Sequence, residues 1–229
     1  ARGITVCNIP AYSTERVAHT AIMMILNLSS SMQIQQAMLA RGDRSNFTKC
    51  MQVSHVEVNG KVLGVVGAGT IGREVIKVAQ ALGMKVLAYT RTPRADEDNL
   101  KYVSLEELLK QSDYISLHCP LTPQTRHMIN KETIAMMKPT AYIINTGRGA
   151  LIDEPALIEA LKEGRIAGAG LDVQETEPPV QDNPLYDMPN VILTPHMGWK
   201  GLETRQRLVS ILAANIQAFD EGRPQNVVS

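Results

Sequence analysis

Three polar residues stand at positions that packing explains poorly. Arg148 sits between Gly147 and Gly149, just after the apolar run Ala141–Asn145. Its planar fork can hold a carboxylate through two hydrogen bonds, or it can form an ordinary surface ion pair. His196 follows a second apolar run, Val191–Thr194. An unperturbed imidazole titrates near ~6.5, so it can give or take a proton at neutral pH. Glu177 follows a third run, Ala167–Val173, in a loop stiffened by Pro178 and Pro179. A carboxylate on the second ring nitrogen would orient the histidine and favour its charged form. Glu175 and Glu177 read equally as surface charge. Asp172 stands inside the apolar third run and needs a partner. His19, His55, His118 and His127 read as structural, with His118 lining a cofactor cleft from its strand end.

These residues need a scaffold, and the stretch Lys61–Gly83 supplies its centre. Val62–Val66 reads as a buried strand, Gly67-Ala68-Gly69-Thr70-Ile71-Gly72 as a tight turn, and Arg73–Leu82 as a helix closed by Gly83. Strand, glycine turn and helix form half of a dinucleotide-binding unit. Gly67 permits the sharp turn, Gly69 lets backbone N–H groups reach a pyrophosphate, and Gly72 lets helix and strand pack closely. The free N–H groups of the first helical turn, at Thr70 and Ile71, favour phosphate. After the next strand, Lys85–Tyr89, come Thr90-Arg91-Thr92. An NAD site ordinarily has Asp or Glu here for the ribose hydroxyls. Thr90 removes that negative charge and Arg91 can pair with a 2′-phosphate, so NADP is slightly favoured over NAD, the alternative being a solvated Arg91 beside a lax NAD site.

The other elements follow from periodicity and punctuation. Ile4–Cys7 reads as a short strand, and Thr14–Leu39 as one long helix stopped by Gly42. Arg41–His55 reads as a loop, and Thr92–Asn99 as a polar connection. Ser104 caps a helix ending at Gln111. Asp113–His118 is a strand, followed by the turn HCPLTPQT with Pro120 and Thr125, then a helix around Lys131–Met137. Helices over Asp153–Gly164 and Gly201–Glu221 complete the pattern. Strands alternate with helices from residue 61 to 194, which predicts an α/β, Rossmann-type, doubly wound parallel sheet. Ligands in such sheets bind beyond the carboxyl ends of the strands, where Arg148, Glu177 and His196 all fall.

Bulk properties narrow the function classes. The chain has 229 residues with 23 basic and 23 acidic side chains, so no charge surplus favours nucleic acid or an anionic membrane. No apolar stretch approaches the ~18 residues of a membrane span. Cys7, Cys50 and Cys119 are far apart and suit reduced thiols in a cytoplasmic protein rather than disulfides or a metal site. The chain begins at Ala1, as a fragment or processed chain would.

At NIPAYST (8–14), GAGTIG (67–72), HCPLTPQTRHMIN (118–130), INTGRGALIDEPALIEAL (144–161), GLDVQETEPP (170–179) and LTPHMGW (193–199), the chain resembles the D-isomer-specific 2-hydroxyacid dehydrogenases. Its tail, with ETRQRLV (203–209), is similar to their glycerate dehydrogenase and hydroxypyruvate (glyoxylate) reductase branch. The resemblance implies reduction of a small 2-oxo acid by NADH or NADPH. Arg148 would hold the substrate carboxylate, His196 would donate the proton, and Glu177 would orient His196. Asp172 would bind the nicotinamide carboxamide, and Thr146, Gly147 and Gly198 would line the same cleft. Trp199 either closes the pocket or packs at a domain seam. The resemblance implies a homodimer, for which the 14–39 helix offers an apolar face. It also implies that an N-terminal part of the substrate domain is absent. Residues 1–9 would end that domain, 10–198 would bind the dinucleotide, and 199–229 would return to it. His19 replaces the family's usual Glu or Gln, a change expected to affect helix packing. A nucleotide-sensing binding protein, or an inactive cofactor-binding fragment, is the alternative on the same fold.

Overall fold

The computed structural model describes residues 3–48, 51, 53–92 and 94–228, and Cys50 lies outside them. Seven parallel strands form one sheet: β1 (Val62–Val66), β2 (Lys85–Tyr89), β3 (Leu100–Tyr102), β4 (Tyr114–Leu117), β5 (Tyr142–Asn145), β6 (Gly168–Leu171) and β7 (Val191–Leu193). The spatial order is β3-β2-β1-β4-β5-β6-β7. The chain winds outward from β1 in one direction, returns, and winds outward through β4 in the other. The switch point therefore lies between the carboxyl ends of β1 and β4, where such sheets hold their ligands.

Two apolar layers enclose the sheet. On one face lie α1 (Thr14–Ser29) and α4 (Thr70–Ala81), whose Ala21, Met24, Ile25, Val75 and Ala79 are buried against Leu63, Val65 and Ile144. On the other lie α5 (Leu105–Gln111), α6 (Lys131–Ile134) and α7 (Glu154–Lys162), which bury Leu108, Ile134 and Leu157 against Ile115, Leu117 and Ile143. Helix starts follow from local chemistry. Ser104 accepts from the Glu107 N–H at 3.1 Å, and Asp153 accepts from the Ala156 N–H at 3.2 Å, with Pro155 in the first turn. The central helix α4 begins at Thr70, three residues before the expected Arg73, because Gly69 already serves as its extended cap residue.

Four expectations change. The single 14–39 helix is two, α1 and α2 (Met32–Ala40). The Ser29 and Ser30 hydroxyls both bond the Leu26 carbonyl, while Ser31 takes a left-handed φ of 49° and bonds the Ser54 carbonyl at 2.6 Å. Serine hydroxyls compete with the helical ladder in this way. The 41–55 loop contains a short helix, α3 (Ser45–Thr48). Ile4–Cys7 makes only a single bridge, Cys7 to Val227. Strand β3 was not expected; its three residues are too few to show an alternation, and they are fixed by pairing with β2.

Helix α8 (Leu202–Asp220) leaves the sheet and meets the N-terminal segment. Asn215 Nδ2 donates to the Asn8 carbonyl at 2.9 Å and Arg207 Nε to that of Tyr12 at 3.0 Å. None of the described helices is long and apolar enough to cross a membrane.

Candidate active site

A cleft runs along the carboxyl edge of the sheet in two parts that meet at His118, Cys119 and Pro120. Both parts are about 680 Å³. The first is lined by Gly67, Ala68, Gly69, Thr90, Arg91, Thr92 and Thr125. Here two of the glycines stand where a side chain has no room. A Cβ on Gly67 would lie 2.6 Å from the Cys119 nitrogen, and one on Gly72 would strike the Gly67 carbonyl oxygen. At Gly69 the space ahead of the helix is open, with no heavy atom within 4 Å of the Cβ position. Open space in front of the free N–H groups of Thr70 and Ile71 is what a pyrophosphate requires.

Around Thr90 the carboxylates are already engaged. Glu97 pairs with Arg73 at 2.9 Å, and Asp96 accepts from the Tyr102 N–H at 2.8 Å. Thr90 Oγ1 donates to the Thr92 carbonyl at 2.7 Å. Among the described residues no acid lines this part, while Arg91 and a second cation, Arg94, do. Sequence reasoning passed over Arg94, although it stands only three residues beyond Arg91. Thr125 holds the turn after β4 together, donating to the Pro120 carbonyl at 2.7 Å and accepting from the Thr122 N–H at 2.8 Å.

The second part brings Ile71, His118, Thr146, Gly147, Arg148, Asp172, His196, Gly198 and Trp199 to one surface. Arg148 rests on a turn built by the fully buried Asn145, which accepts from the Gly147 N–H at 3.0 Å and donates to the Arg148 carbonyl at 2.9 Å. The Arg148 guanidinium is exposed and donates to the Gly147 carbonyl at 2.8 Å; among the described residues it has no carboxylate partner. The surface ion pair left open by the sequence is therefore not formed. The Thr146 Oγ1 is buried without a hydrogen-bond partner.

His196 Nδ1 lies 2.8 Å from Glu177 Oε2. The ring nitrogen left over, Nε2, is the one free to serve the cleft. Glu175 plays a different part: it accepts from His127 Nε2 at 2.6 Å and from Arg126 at 3.3 Å, tying the loop after β6 to that after β4. Strand β6 ends at Leu171, so Asp172 lies just past it, 2% exposed. Its partners are Thr194 Oγ1 at 2.5 Å and the N–H groups of Met197 and Gly198, both at 2.8 Å. The Ser116 hydroxyl lies 2.8 Å from His118 Nε2, and burial pushes the His118 imidazole down to about 4. His118 is thus neutral at pH 7. His19 is exposed on α1.

A model of the D-isomer specific 2-hydroxyacid dehydrogenase NAD binding domain matches residues 22–198. The chain belongs to the D-isomer specific 2-hydroxyacid dehydrogenase family. It is 45% identical to hydroxypyruvate reductase of Blautia hydrogenotrophica, covering 100% of this chain and 72% of that protein. It is 43% identical to glycerate dehydrogenase of Methylorubrum extorquens, with the same coverage. Among solved structures, D-lactate dehydrogenase with NAD+ from Lactobacillus jensenii superposes with a TM-score of 0.89 at 36% identity, over 99% of this chain and 72% of that one. This member of the dehydrogenase family is therefore an NAD(P)-linked oxidoreductase acting on 2-oxo and 2-hydroxy acids. The glycine turn, the open space before α4 and the cleft beyond it fit the dinucleotide.

Proposed function

We propose that the protein reduces hydroxypyruvate to the D-2-hydroxy acid, or glyoxylate to its achiral 2-hydroxy acid, with NADPH preferred to NADH. The observation that carries the reaction is the 2.8 Å contact between His196 Nδ1 and Glu177 Oε2, His196 standing on the cleft that Arg148 also lines. The dinucleotide supplies a hydride when bound. Arg148 swings from the Gly147 carbonyl to hold the substrate carboxylate in two hydrogen bonds. His196 Nε2 would give its proton to the substrate's carbonyl oxygen as negative charge builds there. Glu177 stabilises the charged imidazole before that transfer and keeps the ring aimed at the cleft. The substrate choice rests on the two relatives named above and on Trp199 at the cleft wall. The NADPH preference rests on Arg91 and Arg94 beside a wall without carboxylates among the described residues.

Residues 4–9 and 199–228 form the edge of a second, substrate-side unit. They bind one another: the Asn8 N–H donates to the Asn226 carbonyl at 3.0 Å and the Val228 N–H to that of Val6 at 2.9 Å. The protein works as a homodimer in the cytoplasm. Leu26, Met32, Leu39 and Phe47 expose apolar surface along α1 to α3, where a second copy would cover it. Light scattering of the purified full-length protein at micromolar concentration tests this, and a monomer would refute it.

The decisive experiment is steady-state reduction of hydroxypyruvate, glyoxylate, pyruvate and longer 2-oxo acids with NADH and NADPH by the full-length protein. Turnover highest on the first two supports the reading. Tight nucleotide binding without turnover on any of them would favour the binding protein instead.

A further inference from the structure

The His196 loop has an unusual backbone. His196 adopts a φ of 49°, in the left-handed region that non-glycine residues seldom occupy. Something must hold it there, because such a conformation costs of order 1–3 kcal/mol. The loop's own ladder contact is the Thr194 N–H on the Leu171 carbonyl at 3.0 Å, where β7 meets the end of β6. Directly beyond it, the His196 N–H donates to the Thr194 carbonyl at 2.9 Å, closing a three-residue turn. Thr194 also donates through Oγ1 to Asp172 Oδ1, and the same carboxylate receives the N–H groups of Met197 and Gly198. Gly198 is pressed so close that a Cβ would stand 2.9 Å from Asp172 Oδ2. The loop is thus wrapped around one buried carboxylate, held by a side-chain donor on the near side of His196 and two backbone donors on the far side.

We propose that Thr194 is a positioning residue for His196, acting through Asp172. Its hydroxyl is the one side-chain donor in the set, so it anchors the turn on the carboxylate, while its carbonyl fixes the left-handed His196 backbone. Glu177 then sets the rotation of the ring, and Thr194 sets where the ring starts from. Displacing a catalytic group by about 1 Å can cost on the order of 10²-fold in rate, so the anchor matters without touching substrate. The role of Thr194 rests on the reading of His196 as the proton donor. A threonine at a strand end carries no sequence signal for it.

The test uses Thr194→Val, which keeps the shape and removes the hydroxyl, and Thr194→Ser, which keeps the hydroxyl. In the full-length protein Thr194→Val should lower kcat by about 10-fold or more while KM for the 2-oxo acid and the dissociation constant of NADPH, read by nicotinamide fluorescence, change by less than about 3-fold. Thr194→Ser should recover most of the rate. If Thr194→Val does not fold, Thr194→Ala, which removes the same hydroxyl with less bulk, should produce the same fall in kcat. Wild-type kcat in Thr194→Val would overturn the proposal, as would equal losses in the Val and Ser variants or a loss confined to cofactor affinity. Absence of turnover in the wild-type protein would overturn the reductase reading and this role with it.

Discussion

Gly149 lies against the backbone of Gln174 so closely that a Cβ would fall on the Gln174 carbonyl. The turn that carries Arg148 and the loop that carries Glu177 are therefore in direct contact, and only glycine allows it. Gly149→Ala must push the two apart. Overpacking of this kind costs about 1–3 kcal/mol, so the thermal midpoint should fall by several degrees. Because Arg148 moves with its turn, KM for the 2-oxo acid should rise more than KM for the cofactor. Calorimetry and steady-state kinetics on the same preparation check both.

The pairing of His196 with Glu177 makes two variants unequal. His196→Ala removes the proposed proton donor and should lower kcat by the ~10²–10⁴-fold typical of a lost general acid. Glu177→Gln keeps a hydrogen bond to Nδ1 and with it the orientation of the ring, so its loss should be smaller. NADPH affinity, measured by fluorescence titration, should remain near wild type in both.

Arg91 and Arg94 line the part of the cleft beside the glycine turn, where the proposed reading puts the adenosine end of the dinucleotide. Removing both by Arg91→Ala with Arg94→Ala should weaken NADPH by about 10-fold or more, as expected for lost charge-assisted hydrogen bonds, and leave NADH within about 2-fold. The NADPH effect should shrink as salt is raised. Equal changes for the two cofactors would remove these arginines from the choice between them.

His118 predicts a pH dependence of stability. Burial holds its imidazole near 4 in the folded chain, whereas an unfolded histidine titrates near ~6.5. Below ~6.5 the unfolded chain binds a proton that the folded chain refuses, so stability falls as pH drops from there toward 4 and is complete above that window. The contribution is of order 1–3 kcal/mol. Urea unfolding of wild type and His118→Gln at pH 4.5 and pH 7.5 isolates it: the variant should lose less stability on acidification.

Much of the architecture was legible because it is written in local signals. The run Val62–Val66, the glycines at 67, 69 and 72, the Ser104 cap and the Asp153-Glu154-Pro155 start each act within a few residues, and each element stands within one to three residues of its expected place. Where the reading went astray, competing local bonds were decided elsewhere. The Ser29–Ser31 break depends on Ser54, and β3 exists only through β2. Asp172 showed a need for partners, but nothing near it in the chain named Thr194, Met197 and Gly198.

Residue order alone pointed to a parallel sheet, a glycine turn of dinucleotide-binding type and three polar residues in the loops beyond the strands, since hydrophobic periodicity and capping operate over a few residues. That His196 shares a cleft with Arg148 and is met from behind by Glu177 was settled by β6 lying between β5 and β7. The same adjacency seats Gly149 on Gln174 and Thr194 on Asp172, and sets the 2.8 Å contact of His196 with Glu177. These contacts join residues some twenty positions apart, and only backbone pairing across the sheet brings them within hydrogen-bonding distance.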